Sequence, residues 1–574
     1  MPYMYSAIPS AHLVTSALKH FGVTQVVISP GSRNAPLIMN IAADEAFEAF
    51  SIVDERSAAF FALGRAQATK QAVALVCTSG SALLNYYPAI AEAYYSEIPL
   101  LVLSADRPPE KVDIGDGQTI RQPNVFASLL GDSFVLSLDQ KLMKDATDTN
   151  PSAQVYAENA KMLSKALLSL QAKRIPVHIN IPFEEPLYHQ IEASIDPIDW
   201  KFYSETISTR HELTSNVDSS VIQALSNSKV MLLIGVWDPS DEEWEQLRTL
   251  EQHTQALVLT ETLSNTKGLN CIDSIDTLIA PLEGSAAGEA LLEELKPDVI
   301  FTIGGMVVSK KIKALLRSAK NLRHIHLGSS AALNTFGCLN GHYPLAIFAQ
   351  NSAKVSTNVQ TYAKFWLDYY NGLTSKREDF ISLAPFSDFK AYSQALEAIP
   401  KDYELHISNS SAIRYTQFFK TSAKKQWCNR GTSGIEGSAS TAVGYSSVKM
   451  HERTVLLTGD LSFFYDTNAY WNAYVSSSFR IIVINNSGGG IFRILPNAKR
   501  TKEFETFLET RHSKKAQEIA KHFEFDYQSA ADTDSLAQAL EGFFKEGKRP
   551  KVLEVFTPSD KNETVLFDYF KRLK

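Results

Sequence analysis

The sequence predicts an α/β fold of three domains in series, each a mostly parallel sheet flanked by helices. The 574 residues exceed the roughly 250–300 residues at which a single hydrophobic core stops growing. Short runs of aliphatic and β-branched residues alternate with helical patterns along the chain, which is typical of parallel sheets with crossover helices. We therefore expect domains at residues 1–190, 191–365 and 366–574.

The predicted strands of the first domain end in polar residues. These strands lie at residues 24–28, 50–53, 73–78 and 100–104. The carboxyl ends of parallel strands meet at one edge of a sheet, where open sheets bind ligands. We therefore expect Ser32, Glu55 and Arg107, which follow three of these strands, to share one crevice.

The same rhythm continues in the later part of the chain. Further strands are predicted at residues 230–235, 256–260, 299–303, 324–327, 404–407, 454–457, 481–484 and 551–555. The stretch from about 351 to 374 is predicted to be a linker between the second and third domains.

Composition limits the function classes. The formal charge is −7, from 56 basic and 63 acidic residues, so nucleic acid is not an expected partner. The four cysteines form no Cys-x-x-Cys pair, which favours a reducing cytoplasm over a disulfide-bonded or zinc-bound protein. We find no secretory signal pattern and no apolar run of the roughly 18 residues that a membrane span requires.

The sharpest motif joins two strand ends of the third domain. Gly459-Asp460-Leu461-Ser462 follows one strand, Asn485-Asn486-Ser487-Gly488 follows the next, and 24 residues separate Asp460 from Asn485. That spacing holds one helix and one strand, so both ends return to the same sheet edge. The Asp460 carboxylate, the Asn486 amide oxygen and the Gly488 carbonyl are oxygen ligands that suit Mg²⁺, or Mn²⁺ in its place.

This pattern resembles the signature of thiamine-diphosphate enzymes, which runs from Gly-Asp-Gly to Asn-Asn over about this distance. Leu461 stands where most of that superfamily has glycine. The resemblance implies thiamine diphosphate held through a divalent metal. It also implies a carboxylate from another domain that hydrogen-bonds the aminopyrimidine ring, and Glu55 is the residue we expect in this acid/base role. By itself, Glu55 is better explained as a helix N-terminal carboxylate that interacts with the helix dipole, and only the metal motif favours the catalytic role.

Several motifs together resemble one family within that superfamily, the 2-succinyl-5-enolpyruvyl-6-hydroxy-3-cyclohexene-1-carboxylate synthases of menaquinone biosynthesis. The matching stretches are residues 29–37, 54–58, 78–82, 105–110, 429–437, 459–462 and 491–492. Leucine at position 461, in place of glycine, is usual in this family. The first and third domains carry the resemblance well, and the middle domain carries it poorly.

The resemblance implies that 2-oxoglutarate loses CO₂ and that its succinyl fragment adds to isochorismate. Both substrates are carboxylates, for which arginine is the natural partner. The expected substrate residues are Ser32, Arg33, Arg107, Gln118, Ser410, Arg414 and Arg430. The expected cofactor-binding residues, besides Glu55, are Gly431, Ser433, Ile435, Gly459, Leu461, Ser462, Ile491, Phe492 and Leu495. The resemblance further implies a homo-oligomer of at least two subunits, either a dimer or a tetramer. It places the cofactor between the first domain of one subunit and the third domain of another.

Two departures and two alternatives stay open at this point. Gly117 stands where the family commonly has asparagine, and Lys311 stands where we expect arginine, so Lys311 receives no site role. A different thiamine-dependent carboligase or decarboxylase, such as an acetolactate synthase, is the alternative enzyme. An inactive cofactor-binding scaffold is the alternative outside enzymes, but it predicts the loss of Glu55, Asp460 or Asn486, and all three are present.

Overall fold

A computed structural model of the chain describes residues 4–138, 153–192, 198–203, 228–254, 256–351, 357–494 and 501–574. The contacts divide the chain into two compact units. Unit 1 lies within Met1–Arg210, Gly431–Thr454 and Tyr465–Phe479, and unit 2 lies within His211–Arg430, Val455–Phe464 and Arg480–Lys574.

The N-terminal sheet belongs to unit 1. The strands are β1 (Tyr5–Ser6), β2 (Gln25–Ile28), β3 (Glu48–Ser51), β4 (Val73–Cys77), β5 (Leu100–Asp106), β6 (Asp132–Val135), β7 (Val177–Pro182) and β8 (Gln190–Ile191). The helices are α1 (Pro9–His20), α2 (Ala35–Ala43), α3 (Glu55–Thr69), α4 (Ser81–Asn85), α5 (Tyr87–Tyr95) and α6 (Ala153–Lys173). Strands β2 to β7 form a parallel sheet in the order β3-β2-β4-β5-β7-β6, and β1 pairs with β8 in the antiparallel sense. Every residue of β4 and β5 is buried, as expected of central strands covered on both faces.

The central sheet belongs to unit 2. The strands are β9 (Val230–Ile234), β10 (Leu257–Leu259), β11 (Val299–Ile303), β12 (Arg323–Leu327) and β13 (Leu339–Tyr343). The helices are α7 (Asp241–Thr254), α8 (Ile275–Ile279), α9 (Ala286–Leu295), α10 (Lys310–Arg317), α11 (Leu345–Asn351) and α12 (Thr357–Gly372). The five strands are parallel in the order β10-β9-β11-β12-β13.

The third sheet completes unit 2. The strands are β14 (Glu404–Ile407), β15 (Gln426–Trp427), β16 (Thr454–Gly459), β17 (Arg480–Asn485), β18 (Asp526–Ala530) and β19 (Lys551–Phe556). The helices in this part of the chain are α13 (Thr374–Leu383), α14 (Asp388–Ala398), α15 (Ser411–Thr416), α16 (Ser438–Ser446), α17 (Asp460–Tyr465), α18 (Lys502–Phe507), α19 (Ala516–His522), α20 (Thr533–Phe543) and α21 (Asn562–Leu573). The strand order is β15-β14-β16-β17-β19-β18.

The predicted fold class is confirmed, because three mainly parallel sheets flanked by helices follow one another along the chain. The linker prediction for 351–374 is wrong over its described part, which forms α12. Tyr362, Trp366 and Tyr370 recur at four-residue spacing on this helix and are buried in the apolar cluster of the central sheet, which is the pattern of an amphipathic helix. The three domain limits stay a prediction. Among the described helices, none has the length and apolar run that crossing a bilayer requires.

Candidate active site

The predicted metal ligands meet at the end of two neighbouring strands of unit 2. Asp460 begins α17 directly after β16, and Asn486 follows β17, which pairs with β16. The Asp460 carboxylate is buried and accepts hydrogen bonds from the backbone N–H groups of Leu461 (2.7 Å) and Gly488 (2.9 Å). The structure therefore brings Asp460, Asn486 and Gly488 together, as the motif spacing predicts.

The side chain of Asn486 has a free acceptor at this place. Its Nδ2 donates to the Asp388 carboxylate at 2.7 Å, whereas its Oδ1 is buried and has no hydrogen-bond partner among the described residues. Asn485 differs, since its amide donates to Glu554 and to the Lys514 carbonyl and accepts from the Ser487 N–H. A buried unpaired oxygen close to a carboxylate fits a hard divalent cation.

The predicted metal ligands are oxygen atoms of three different chemical kinds. In the described ranges, no three His, Cys, Asp or Glu side chains gather into a metal-binding group. One carboxylate, one side-chain amide and one backbone carbonyl are instead the few protein ligands that Mg²⁺ takes when phosphate oxygens and water complete its shell.

A segment at residues 509–516, here called the covering segment, packs on the glycine loop 488–490. Gly488 has φ +144°, and a Cβ there would lie 2.6 Å from the Glu509 carbonyl oxygen, so only glycine fits. The Gly489 N–H donates to that carbonyl at 2.6 Å, and the His512 Nε2 lies 3.3 Å from the Asp460 carboxylate. Sequence reasoning missed Glu509 and His512, because no motif marks them.

A buried ion pair and a buried carboxyl group lie next to this loop. Arg493 and Glu509 form a buried ion pair at 2.5 Å. Burial raises the pKa of Asp388 to about 6, against the opposing effects of hydrogen bonds from Thr557 and Asn486. Asp388 is also a residue that the sequence analysis did not identify. The only feature of the sequence that marks Asp388 is that it directly follows Ser387, the N-cap residue of α14.

The other predicted cofactor residues of unit 2 lie around the same strand ends. Gly459 ends β16, and a Cβ there would meet no atom within 4 Å, so this position faces open space. The Ser462 hydroxyl donates to Ser408 at 3.3 Å. Ile491 and Phe492 are half-buried in the 3-10 helix Gly490–Ile494. Leu495 lies outside the described residues.

Three predicted substrate residues gather near the start of α15. Ser410 precedes this helix with φ +67°, Arg414 lies on it, and Arg430 donates to the Asn409 side chain at 2.7 Å. Burial, reinforced by the nearby positive charge of Arg430, lowers the pKa of Arg414. The buried Arg414 Nε has no hydrogen-bond partner within the described part of the chain. A desolvated cation with unused donors suits an anionic ligand.

Arg414 lines a cavity of about 590 Å³ in unit 2. Its wall carries apolar side chains together with further charged groups, including Lys311, Asp276 and Glu283. Lys311 is already paired with Glu283, which agrees with giving it no site role. The volume lies within the range of small-molecule pockets, and the wall combines apolar surface with several charged side chains.

Glu55 occupies the start of α3 in unit 1. Its neighbours on both sides are anchored: Asp54 caps the helix at the Ser57 N–H and accepts from Asn468, and Arg56 donates to the Tyr465 carbonyl. Burial, with a smaller contribution from the Asp54 charge, raises the pKa of Glu55. A carboxyl group that lies between anchored residues and protonates more readily than usual is suited to proton transfer.

The predicted substrate residues of unit 1 lie at the carboxyl edge of the N-terminal sheet. Arg107 follows β5 and donates to the Gly117 carbonyl at 3.1 Å, and the Gln118 carbonyl accepts from Ser79, which follows β4. Arg33 is buried and donates to the Phe183 carbonyl and to Glu185, both at 3.1 Å. Exposed Ser32 contacts Tyr188 at 3.0 Å. These contacts place Ser32, Arg33 and Arg107 after strands of the N-terminal sheet, and Arg33 is partly engaged by the protein. The crevice shared by Ser32, Glu55 and Arg107 stays a prediction.

The glycine-rich loop at 431–437, which holds the predicted residues Gly431, Ser433 and Ile435, is fixed by Glu92. This buried carboxylate accepts from the N–H groups of Gly431 (2.8 Å) and Thr432 (2.7 Å) and from the Thr432 hydroxyl. Sequence reasoning missed Glu92, which lies on α5 far from the loop in sequence.

Helix α16 follows this loop and packs closely on α3, the helix of Glu55. A Cβ at Gly64 would lie 2.0 Å from the Thr441 carbonyl oxygen, and one at Gly444 would lie 2.0 Å from the Phe61 carbonyl oxygen. Both contacts are between backbones, so neither position has room for a side chain. This contact holds the glycine-rich loop and Glu55 within one unit.

Glu92→Gln is expected to destabilise unit 1 by about 1.5–3 kcal/mol, because the neutral amide has one acceptor oxygen where the carboxylate serves four donors. The midpoint of denaturant unfolding measures this change. Glu110→Gln, at an exposed site, is the matched control and should leave the midpoint in place. Equal midpoints for both variants would show that the carboxylate does not hold the loop.

Comparison with known proteins agrees with the geometry. Residues 10–127 match the family model described as thiamine pyrophosphate enzyme, N-terminal TPP binding domain, and residues 410–555 match the C-terminal TPP binding domain of the same enzymes. The chain is 44% identical to the 2-succinyl-5-enolpyruvyl-6-hydroxy-3-cyclohexene-1-carboxylate synthase of Christiangramia forsetii, covering 99% of this chain and 100% of that one. Synthases of the same name from Flavobacterium johnsoniae and Bacteroides fragilis are 42% and 33% identical, over 99% and 100% of this chain and 100% of each relative.

Proposed function

Because this chain belongs to the 2-succinyl-5-enolpyruvyl-6-hydroxy-3-cyclohexene-1-carboxylate synthase family, we propose that it decarboxylates 2-oxoglutarate and adds the succinyl fragment to isochorismate. The product is the compound in the family name, and the pathway is menaquinone biosynthesis. The enzyme is a transferase that uses thiamine diphosphate, in agreement with the two matching cofactor-binding domains. When bound, this cofactor supplies the carbon nucleophile and the electron sink that loss of CO₂ from a 2-oxo acid requires.

The observation that carries the substrate class is Arg414, whose buried Nε has no hydrogen-bond partner among the described residues, on the wall of the 590 Å³ cavity. Both proposed substrates are carboxylates on a carbon skeleton, which suits a desolvated cation on a wall that also offers apolar surface. Ser410, which precedes the helix of Arg414, and Arg430 are proposed to add polar groups near this cavity. Ser32, Arg33, Arg107 and Gln118 are proposed to contribute from the crevice of unit 1.

The proposed metal site is the edge formed by Asp460, Asn486 and Gly488, with Mg²⁺ or Mn²⁺ as the ion. The support is the unpaired Asn486 Oδ1 together with the open space beside the Gly459 backbone, where diphosphate oxygens are proposed to bind. Gly459, Leu461, Ser462, Ile491 and Phe492 are proposed to surround the cofactor there. In the glycine-rich loop, Gly431 and Ser433 are proposed to bind it, and Ile435 to prop it in its bent shape.

Glu55 is the proposed catalytic acid/base. Its role is to hydrogen-bond the cofactor's aminopyrimidine ring and to pass a proton, and the raised pKa supports this role. By family resemblance, a homo-oligomer of at least two subunits is required. We propose a cytoplasmic location, supported by four free cysteines in a protein that has no disulfide.

The function is tested with purified protein, Mg²⁺, thiamine diphosphate and 2-oxoglutarate, with and without isochorismate. We expect CO₂ release that is coupled to isochorismate consumption and that disappears when the cofactor is omitted. Pyruvate in place of 2-oxoglutarate is the control and should give no coupled product.

The outcomes separate the alternatives. Turnover of pyruvate alone would keep the thiamine chemistry but replace the proposed substrates with those of another carboligase, such as an acetolactate synthase. Cofactor binding with no turnover of any 2-oxo acid would favour the inactive scaffold. The full-length similarity to synthases of one name favours coupling of 2-oxoglutarate to isochorismate.

A further inference from the structure

The amide of Asn486 is useful to a metal in only one of its two orientations. With Oδ1 toward the Asp460 side, it offers a lone pair, and with Nδ2 there, it offers two hydrogens that a cation repels. In the structure, Nδ2 points to Asp388 and Oδ1 is the free atom. A neighbouring group must therefore stabilise this orientation of the Asn486 amide over the flipped one.

Asp388 supplies the partner that makes this choice. It is the first residue of α14, it is 1% exposed, and one carboxylate oxygen accepts from Asn486 Nδ2 at 2.7 Å while the other accepts from the Thr557 hydroxyl at 2.5 Å. Its backbone N–H donates to the Asn562 side chain at 2.8 Å. The carboxylate is thus locked on both sides and cannot turn away from Asn486.

The space around the Asn486 amide reinforces this arrangement. A Cβ at Gly490 would lie 2.6 Å from Asn486 Nδ2, so the nitrogen fits between a bare backbone and the Asp388 carboxylate. A flipped amide would place Oδ1 against the Asp388 oxygen, which brings two acceptors together with no proton between them.

We propose that Asp388 is a positioning residue that holds Asn486 with its Oδ1 presented to the divalent metal. The proposal rests on the metal site proposed above and adds a residue that lies 98 positions away from Asn486 in sequence. Partners of this kind orient a ligand without touching the metal, and their loss commonly weakens metal binding about 10–100-fold.

The test measures Mn²⁺ binding to the full-length protein with thiamine diphosphate present, by the electron paramagnetic resonance of free Mn²⁺. Asp388→Asn has the same shape but permits both orientations of the neighbouring amide, and we expect about 10–100-fold weaker Mn²⁺ binding. Asp568→Asn makes the same chemical change at an exposed position of α21 and is the matched control, expected to bind Mn²⁺ like the unmodified protein. Melting curves establish that each variant is folded.

A reciprocal exchange separates positioning from a general structural role. Asn486→Asp alone sets two carboxylates against each other and should bind Mn²⁺ poorly. Adding Asp388→Asn to it restores one donor facing one acceptor, with a carboxylate oxygen left for the metal, and should recover Mn²⁺ binding. A mere packing role for Asp388 predicts no recovery.

The remaining outcomes distinguish failure of the proposed metal site from failure of the positioning role of Asp388. Wild-type Mn²⁺ affinity in Asn486→Ala would overturn the metal site itself. Weak binding in Asn486→Ala together with wild-type binding in Asp388→Asn would overturn only the positioning role. A double variant Asp388→Asn with Asn486→Ala that binds more weakly than Asn486→Ala alone would also overturn it, because Asp388 would then act through another group.

Discussion

Glu55→Gln is expected to lower turnover by about 10²–10⁴-fold, the usual contribution of a positioned acid/base group. The amide keeps the size of the carboxyl group but cannot take up and release a proton, so the loss falls on activation of the cofactor. Binding of thiamine diphosphate should change little, since the diphosphate is expected at the Asp460 edge. Steady-state turnover and cofactor titration by quenching of protein fluorescence measure the two quantities separately.

The control for this change is Glu45→Gln, which alters an exposed carboxylate in the same part of the chain. It should leave both turnover and cofactor affinity unchanged. Full activity of Glu55→Gln would remove Glu55 from proton transfer, and a loss of cofactor affinity as large as the loss of turnover would make it a binding residue.

Asp460→Asn is expected to abolish the stabilisation that Mg²⁺ and thiamine diphosphate give to the protein. The variant retains an acceptor for a backbone N–H but lacks the negative charge that a divalent cation requires. A ligand at 100 times its Kd stabilises the folded state by about 2.7 kcal/mol, and this increment should vanish. Thermal melts with and without Mg²⁺ plus cofactor provide the measurement.

Asp568→Asn is the matched control, because it removes an exposed carboxylate from α21. It should melt like the unmodified protein in both conditions. A full ligand-induced shift in Asp460→Asn would mean that another group carries the metal, and His512, at 3.3 Å from the Asp460 carboxylate, would be the first residue to examine.

The parts of the site that sequence reasoning found share one property. Asp460 and Asn486 each follow an apolar strand, and parallel strands deliver their carboxyl ends to a common edge. Regular βα units thus convert a spacing in sequence into a distance in space. The central strands could be predicted from a second feature: they are buried on both faces and therefore appear in the sequence as continuous apolar runs.

The residues that sequence reasoning missed depend on contacts between distant parts of the chain. Asp388 reaches Asn486 across 98 positions, and Glu92 reaches Gly431 across 339 positions. A lone carboxylate at a helix start has many possible partners, and local pattern does not choose among them. The edge strand β18 was missed because most of its residues are exposed, which removes the apolar run that marks a strand.

The discontinuity of unit 1 has a consequence for synthesis of the chain. Helix α3 is buried on nearly all sides, and part of that cover is α16, which leaves the ribosome roughly 380 residues later. At about 5–20 residues per second, this delay is on the order of 20–75 s. During that time the buried residues of α3 lack part of their cover, so we expect expression at a lower temperature to raise the yield of folded protein.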